Sequence, residues 1–220
     1  MRIMIHACPA RMWYVNELLI PSIKEQGADD IYVWNDRNGL GNLEATMASF
    51  ALCGHYDGGT WHLQDDVIIA HDFVERARAH DEGVVCGYGN QQAGPNIGMI
   101  GRRPVVFLWY SFPCIRIPNE YARACAEWWR SEGRYKDIYQ SHIYYKNGDD
   151  TVFRDWLVDI SNCSYITNLT PNLVDHIDYL LGGSVTNKHR EYTAHAFYFE
   201  DQYLVDALAE QLATRALNAV

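Results

Sequence analysis

Two adjacent aspartates, Asp65 and Asp66, interrupt an otherwise apolar stretch that reads "TWHLQDDVII". Two carboxylates side by side repel each other, and burying either one without a partner is unfavourable. A hard divalent cation offsets both penalties, because Mg²⁺ and Mn²⁺ take oxygen ligands and commonly bridge a carboxylate to a substrate phosphate. Aspartate is also a common turn residue, so a plain turn after a strand is the competing interpretation.

The elements that would position this pair alternate between strands and helices. Apolar runs predict strands at 2–7, 30–36, 60–69 and 83–89, and helical periodicity predicts helices at 14–27, 42–53 and 72–80. This order is typical of parallel strands joined by right-handed helical crossovers. Ligands of such sheets bind beyond the carboxyl ends of the strands, where Asp36 and the Asp65–Asp66 pair both fall.

The second half of the sequence has a less regular pattern. It predicts strands within 97–109 and at 114–118, helices at 119–133, 150–161 and 201–220, and a mostly irregular stretch at 168–187. No linker rich in proline, glycine or serine divides the chain. We therefore expect a single α/β domain over residues 1–220, with a mostly parallel central sheet, helices on both faces and an elaborated C-terminal half.

The composition indicates which partners the protein is expected to bind and in which cellular compartment it is expected to lie. The net charge of −10 opposes binding to a nucleic-acid backbone. No apolar run reaches the roughly 18 residues of a transmembrane helix, and the first residues are too short for a signal peptide. The six cysteines are scattered without paired spacing, so we expect reduced core thiols in a cytoplasmic protein.

The stretch "GLGNLEATMASFALCGHYDGGTWHLQDDVIIAHDF" resembles the central part of nucleotide-sugar glycosyltransferases of the GT-A fold. Those enzymes carry a glycine loop, a helix with an asparagine near its start, and a strand that runs into a DXD-type metal-binding motif. Around the motif the chain is similar to family-25 (lipopolysaccharide-type) and family-2 enzymes, with Gln64 where family 25 has glutamate. The resemblance covers residues 1–90 and implies a Rossmann-like GT-A domain, with a nucleotide-binding half at 1–90 and an acceptor half at 91–220.

The resemblance also implies roles for individual residues. Asp66 would be the main ligand of Mn²⁺ or Mg²⁺, Asp36 would face the nucleoside, and the loop 37–42 would close over it. Arg11 would meet the diphosphate or the base, although a solvated loop arginine is an equal alternative. The residues expected to bind the donor are Arg11, Asp36, Asn38, Gly39, Asn42 and Asp65.

Two segments of the second half add further candidates. "NGDDTVFRDW" sets Asp149 and Asp150 at a helix start, where inverting enzymes of this fold keep the catalytic base. Aspartate is also a preferred N-cap residue, so we expect Asp149 to cap the helix and Asp150 to act as the base. "TPNLVDHIDYLLGGS" resembles a segment whose histidine closes the metal site or touches the diphosphate, which makes His176 that candidate.

The function expected from these residues is metal-dependent transfer of a sugar from a nucleoside diphosphate to an acceptor hydroxyl, with inversion. The acceptor stays open among saccharides, lipid-linked sugars, proteins and modified nucleic-acid bases. One alternative is nucleotidyl transfer on a related sheet, which the segment "HACPARMW" disfavours because it has one arginine and no glycine for a phosphate loop. A second is a catalytically inactive nucleotide-sugar-binding module, which Asp66 with Asp149 and Asp150 disfavours.

Overall fold

The computed structural model describes residues 1–88, 101–104, 112–136, 148–163, 165–182 and 199–218. Seven strands form the central sheet, in the spatial order β2-β1-β3-β7-β5-β8-β6. These strands are β1 (Arg2–Ala7), β2 (Ile31–Asn35), β3 (Gly59–Gln64), β5 (Val85–Cys86), β6 (Gly101–Pro104), β7 (Cys114–Pro118) and β8 (Tyr165–Asn168). A separate two-stranded sheet pairs β4 (Val67–Ile69) with β9 (Val174–His176).

The central sheet is mostly parallel, as predicted from the sequence. Strands β1, β2, β3, β5 and β8 run in one direction, and β6 and β7 run in the other. The prediction that residues 83–89 continue an all-parallel run is wrong in one respect. β7, from the second half of the chain, lies between β3 and β5 and pairs antiparallel with both, so the first half of the chain does not form its own complete sheet.

Helices cover both faces of the sheet, which confirms the predicted α/β architecture. Helix α1 consists of Met12–Tyr14, a π-helical stretch Val15–Leu19, and Ile20–Glu25. The other helices are α2 (Asn42–Cys53), α3 (Phe73–Ala79), α4 (Asn119–Ser131), α5 (Asp149–Asp159) and α6 (Gln202–Asn218). The helices predicted from periodicity are all present, with small shifts at their ends.

Two hydrophobic cores lie on opposite faces of the sheet. The first packs α1, α3 and α6 against inward residues of β1 and β3 such as Ile5 and Trp61. The second packs α2, α4 and α5 against β7, with Phe50, Ile115 and Phe153 fully buried at its centre. Alternate residues of one strand therefore face different cores, because successive side chains of a strand point to opposite faces.

The stretch predicted as one strand at 60–69 is broken at the aspartate pair. β3 ends at Gln64, Asp65 and Asp66 form a turn, and the following residues leave the main sheet as β4. β4 pairs antiparallel with β9, so that Val67 lies opposite His176. The stretch 168–187, predicted as mostly irregular, contains β9 within its described part, and 183–187 lie outside the described residues. The pairing of β9 with β4 brings His176 to the aspartates.

The structure also bears on the predictions for the cysteines, for the strands within 97–109 and for transmembrane helices. The six cysteines form no disulfide within the described residues, and four of them are buried. Of the strands predicted within 97–109, β6 is described, and the flanking positions lie outside the described residues. No helix in the described part of the chain is both long and apolar enough to cross a membrane.

Candidate functional site

A cleft of about 470 Å³ lies beyond the carboxyl ends of β1, β2 and β3. Most of the residues predicted to form a site line this cleft: Arg11, Asp36, Gly39, Asn42, Asp65, Asp66 and His176. Asn38, Asp149 and Asp150 are described but are not among the lining residues, and Asn38 is exposed in the turn after β2. The cleft occupies the edge of the sheet where parallel strands present their binding crevice.

Arg11 binds both members of the aspartate pair. Its Nη1 donates to Asp65 Oδ1 at 2.9 Å and also to Asp66 Oδ2. Asp65 Oδ2 accepts a further hydrogen bond of 2.7 Å from the backbone N–H of Cys8, which fixes the segment after β1. All three charged side chains are buried, so the guanidinium offsets the repulsion between the two carboxylates. The alternative of a solvated loop arginine at this position is wrong.

His176 is the second basic group at Asp66. Its Nε2 lies 3.2 Å from Asp66 Oδ2, and its Nδ1 lies 3.7 Å from Asp178 Oδ1. Burial opposes the charged imidazole, but Asp66 and then Asp178 outweigh burial and raise the pKa of His176. Burial also opposes the charged form of Asp66, but His176 and Arg11 lower the pKa of Asp66 to about 2. The site therefore keeps Asp66 ionised at neutral pH.

Asp36 orders the loop that follows β2. Its two carboxylate oxygens accept hydrogen bonds from the backbone N–H groups of Leu40 (2.9 Å) and Gly41 (3.0 Å). Gly39 and Gly41 have φ angles of +63° and +85°, a conformation that glycine adopts without strain. Asp36 thereby shapes the loop that carries Gly39, Gly41 and the start of α2 along the cleft wall.

Asp149 is tied to α2 by hydrogen bonds and is not among the residues that line the cleft. Its Oδ1 accepts from Asn42 Nδ2 at 2.9 Å, and its Oδ2 accepts from Thr46 Oγ1 at 3.0 Å. Burial and the neighbouring Asp150 raise the pKa of Asp149 to about 7. The prediction that Asp149 is the N-cap needs correction, because α5 begins at Asp149 and Gly148 occupies the cap position. The Asp149 carboxylate is instead used by donors from another helix.

Asp150 lies in the first turn of the same helix and is partly exposed. Its Oδ1 accepts from the backbone N–H of Thr151 at 2.7 Å, while Oδ2 has no hydrogen-bond partner within the described ranges. Burial raises the pKa of Asp150. Asp150 thus keeps one carboxylate oxygen that the described part of the chain does not engage.

Three further residues line the cleft: His6 and Trp34, which were not predicted to form the site, and Gln64, which the resemblance placed at the first position of the motif. His6 lies opposite Trp34 on one side and Gln64 on the other in the parallel register, and all three line the cleft. His6 Nε2 is hydrogen-bonded at 2.9 Å to Nδ1 of His62, which is fully buried. Burial lowers the pKa of His6 to about 4. In the sequence, His6, Trp34 and Gln64 could have been found from their positions near the ends of predicted strands, on the face of the sheet opposite that of Ile5.

The carboxylates of the cleft are the candidate ligands for Mg²⁺ or Mn²⁺, which bind oxygen. Within the described ranges, no group of three or more His, Cys, Asp or Glu side chains could hold a metal ion. Such ions are commonly held by only one or two carboxylates, with the rest of the shell from substrate phosphates and water. Asp66 Oδ1 is buried and has no hydrogen-bond partner among the described residues, so none of these residues occupies the position that an ion would take on this oxygen. The residues fit an ion whose shell is completed by the substrate.

Comparisons with known proteins do not assign a family. No family model and no curated protein sequence matches the chain. Galactosyltransferase LgtC is a similar solved structure, with 12% identity, 96% of each chain covered and a TM-score of 0.44. A putative glucose-1-phosphate thymidylyltransferase from Bacillus anthracis (9% identity, 92% of this chain, 98% of that chain, TM-score 0.43) is another. A197 from STIV has 14% identity over 80% of this chain and 86% of that chain, with a TM-score of 0.43. At TM-scores below 0.5, function has to be argued from the site's own residues.

Proposed function

We propose that this protein is a GT-A-type glycosyltransferase that moves a sugar from a nucleoside diphosphate to an acceptor hydroxyl. The observation that carries the proposal is the cleft itself. It gathers Arg11, Asp36, Asp66 and His176 from four separate segments of the chain at the carboxyl ends of parallel strands. Those residue types suit a ligand with a nucleoside at one end and a charged diphosphate at the other.

The charge of the cleft explains why a cation would be needed. Asp36, Asp65 and Asp66 line the cleft together with two basic side chains, Arg11 and His176, that are already paired to carboxylates. A diphosphate brought into this environment is repelled unless positive charge comes with it. Mg²⁺ or Mn²⁺ held by Asp66, with His176 beside it, would supply that charge and stabilise the departing diphosphate.

The donor would be held along the wall formed by β2 and the start of α2. Asp36 and Asn42 line this wall, and the backbone of Gly39 can approach a ligand closely because it has no Cβ. Asn38, exposed on the same loop, would join these contacts if the loop closes over the donor. Asp65 holds Arg11 and the segment after β1, and so acts on the donor through Arg11.

Asp150 is our candidate for the catalytic base. An acceptor hydroxyl that attacks the anomeric carbon has to lose its proton, and a carboxylate near the oxygen can take it. Asp149 is less suited to this role, since both its oxygens accept hydrogen bonds from α2. Asp150 keeps Oδ2 without a hydrogen-bond partner among the described residues, and burial raises its pKa, which makes its carboxylate a stronger base than that of a solvated aspartate.

A thermal-shift screen of UDP- and GDP-sugars, with Mn²⁺ or with EDTA, tests the proposal. We expect one donor to raise the melting temperature only when Mn²⁺ is present, because a ligand that binds the folded state stabilises it. The same donor should then be slowly hydrolysed to its nucleoside diphosphate. Stabilisation by a nucleoside triphosphate with a sugar phosphate, together with pyrophosphate release, would instead identify a nucleotidyltransferase. Binding without any turnover would identify an inactive binding module.

A further inference from the structure

We propose that Arg11 is a built-in counter-ion of the Asp65–Asp66 pair, which a divalent cation displaces from Asp66 so that Arg11 turns to the donor diphosphate. This inference deepens the proposed function and rests on it, since it takes Asp66 as the ion's ligand. It concerns what Arg11 does before the donor arrives and how its position changes when the ion binds.

The first observation is that a single nitrogen of Arg11 serves both carboxylates. Nη1 donates to Asp65 Oδ1 and to Asp66 Oδ2, and the three side chains are buried together. The Nε2 atom of His176 also lies 3.2 Å from Asp66 Oδ2, so two basic side chains contact the aspartate pair. The aspartate pair is therefore stable without an ion, which answers why two adjacent carboxylates can be buried here.

The second observation is that the two oxygens of Asp66 differ. Oδ2 is contacted by both Arg11 and His176, whereas Oδ1 is buried and has no hydrogen-bond partner in the part of the chain that the structure describes. A buried polar atom without a partner is uncommon and unfavourable, so it points to a ligand at that position. An ion on Oδ1 would lie within a few ångströms of the guanidinium on Oδ2, and like charges so close in a buried place repel strongly. Arg11 and the ion therefore compete for Asp66.

The third observation is that Arg11 can reach a second anionic partner, the donor diphosphate. Its side chain lines the same cleft that the diphosphate would enter. A guanidinium binds phosphate oxygens well, often through two parallel hydrogen bonds. Arg11 would thus exchange Asp66 for a phosphate when the donor arrives with its ion, and the ion and donor would each strengthen the binding of the other.

The test is a titration of Mn²⁺ without any nucleotide, with unbound Mn²⁺ followed by electron paramagnetic resonance. Arg11→Gln removes the competing charge, so we expect it to bind Mn²⁺ about tenfold or more tightly than the wild type. Arg11→Lys keeps the charge and should stay near the wild type. Arg130→Gln makes the same change in net charge at an exposed position of α4, and should leave the Mn²⁺ affinity unchanged.

Two further measurements keep the result interpretable. Asp66→Asn added to Arg11→Gln should remove the gain in Mn²⁺ affinity, and a gain that persists would show that the ion binds elsewhere and overturn the proposal. Arg11→Gln leaves two buried carboxylates less well compensated, so its melting temperature should rise more with Mn²⁺ than that of the wild type. A variant that gains no more from Mn²⁺ than the wild type, in affinity or in melting temperature, also overturns it. Because no nucleotide is present, a failed donor screen would count against the proposed function alone.

Discussion

Asn42 and Asp149 are joined by a hydrogen bond of 2.9 Å between Nδ2 and Oδ1, although 107 positions separate them in the chain. Thr46, one turn further along α2, donates to the other carboxylate oxygen of Asp149 at 3.0 Å. Asn42 also lines the cleft. The start of α5, where we propose the catalytic base, is therefore held beside the cleft wall by a buried carboxylate.

This link predicts a structural role for Asp149. Asp149→Ala leaves the amide of Asn42 and the hydroxyl of Thr46 without their partner, so we expect the free energy of unfolding to fall by about 1–3 kcal/mol. Asp149→Asn keeps one acceptor and should cost about 1 kcal/mol. Urea denaturation measures both values. Asp159→Ala, exposed at the other end of α5, is the matched control and should change stability little.

The catalytic role is predicted to lie with Asp150. Asp150→Asn should lower kcat by at least about a hundredfold, the usual contribution of a general base, with little change in donor affinity. Single-turnover transfer to an identified acceptor measures this, and Asp149→Asn is compared in the same assay. If Asp149→Asn is the inactive variant, the two roles are exchanged. If both variants remain active, the base lies elsewhere or the reaction proceeds with retention.

Asp66 is predicted to be needed for turnover. Asp66→Ala should abolish donor hydrolysis and transfer while the protein still unfolds cooperatively, because this carboxylate serves the ion and Arg11 more than the hydrophobic core. Thermal unfolding followed by circular dichroism checks that the variant is folded, and a donor-hydrolysis assay in Mn²⁺ measures the loss of turnover. Asp57→Ala removes an exposed carboxylate after α2 and should leave turnover unchanged. Near wild-type turnover by Asp66→Ala, or full activity of the wild type in EDTA, would contradict the metal role.

Asp36 is predicted to affect donor binding through the loop it orders. Asp36→Ala removes the acceptor for the N–H groups of Leu40 and Gly41, so the donor KM should rise more than kcat falls. Asp36→Asn retains one acceptor oxygen and should have a smaller effect. Calorimetry with the donor nucleotide gives the affinity directly. Asp29→Ala, exposed ahead of β2, serves as the control, and an unchanged affinity in Asp36→Ala would refute the prediction.

The buried histidine pair predicts a loss of stability in mild acid. Burial lowers the pKa of His6 to about 4 and that of His62 well below its usual value. Between pH about 6.5 and 4 the unfolded chain takes up protons that the folded chain does not, so folding weakens as pH falls, by about 3 kcal/mol from His6 over this window. Asp149, whose pKa burial and Asp150 raise to about 7, acts in the opposite sense.

The difference between variants isolates the histidine contribution. We expect His62→Gln to lose less stability than the wild type between pH 7 and pH 5, because one of the two buried imidazoles is gone. Urea denaturation at both pH values measures the loss. His55→Gln, exposed after α2, is the control and should follow the wild type. Equal losses in His62→Gln and the wild type would show that the pair does not titrate in this way.

The sequence by itself determined most of the elements and the edge of the sheet at which the cleft lies. Apolar periodicity located β1, β2 and β3 with their helices, and strand ends located Asp36 and the Asp65–Asp66 pair. Asn42 begins α2, as the pattern predicted. These features are local, because the period of the hydrophobic pattern reports the secondary structure and the face that is buried.

Only the tertiary structure decided which side chains meet. The folded chain places Arg11 against both Asp65 and Asp66, and it makes Asp149 a partner of Asn42 rather than a helix cap. The pairing of β4 with β9 is what brings His176 to Asp66. Every strand edge offers the same backbone donors and acceptors, so backbone hydrogen bonds alone do not select strand partners. The partners are selected by the packing and the charges of side chains from distant segments. The local periodicity of the sequence contains no information on these long-range contacts.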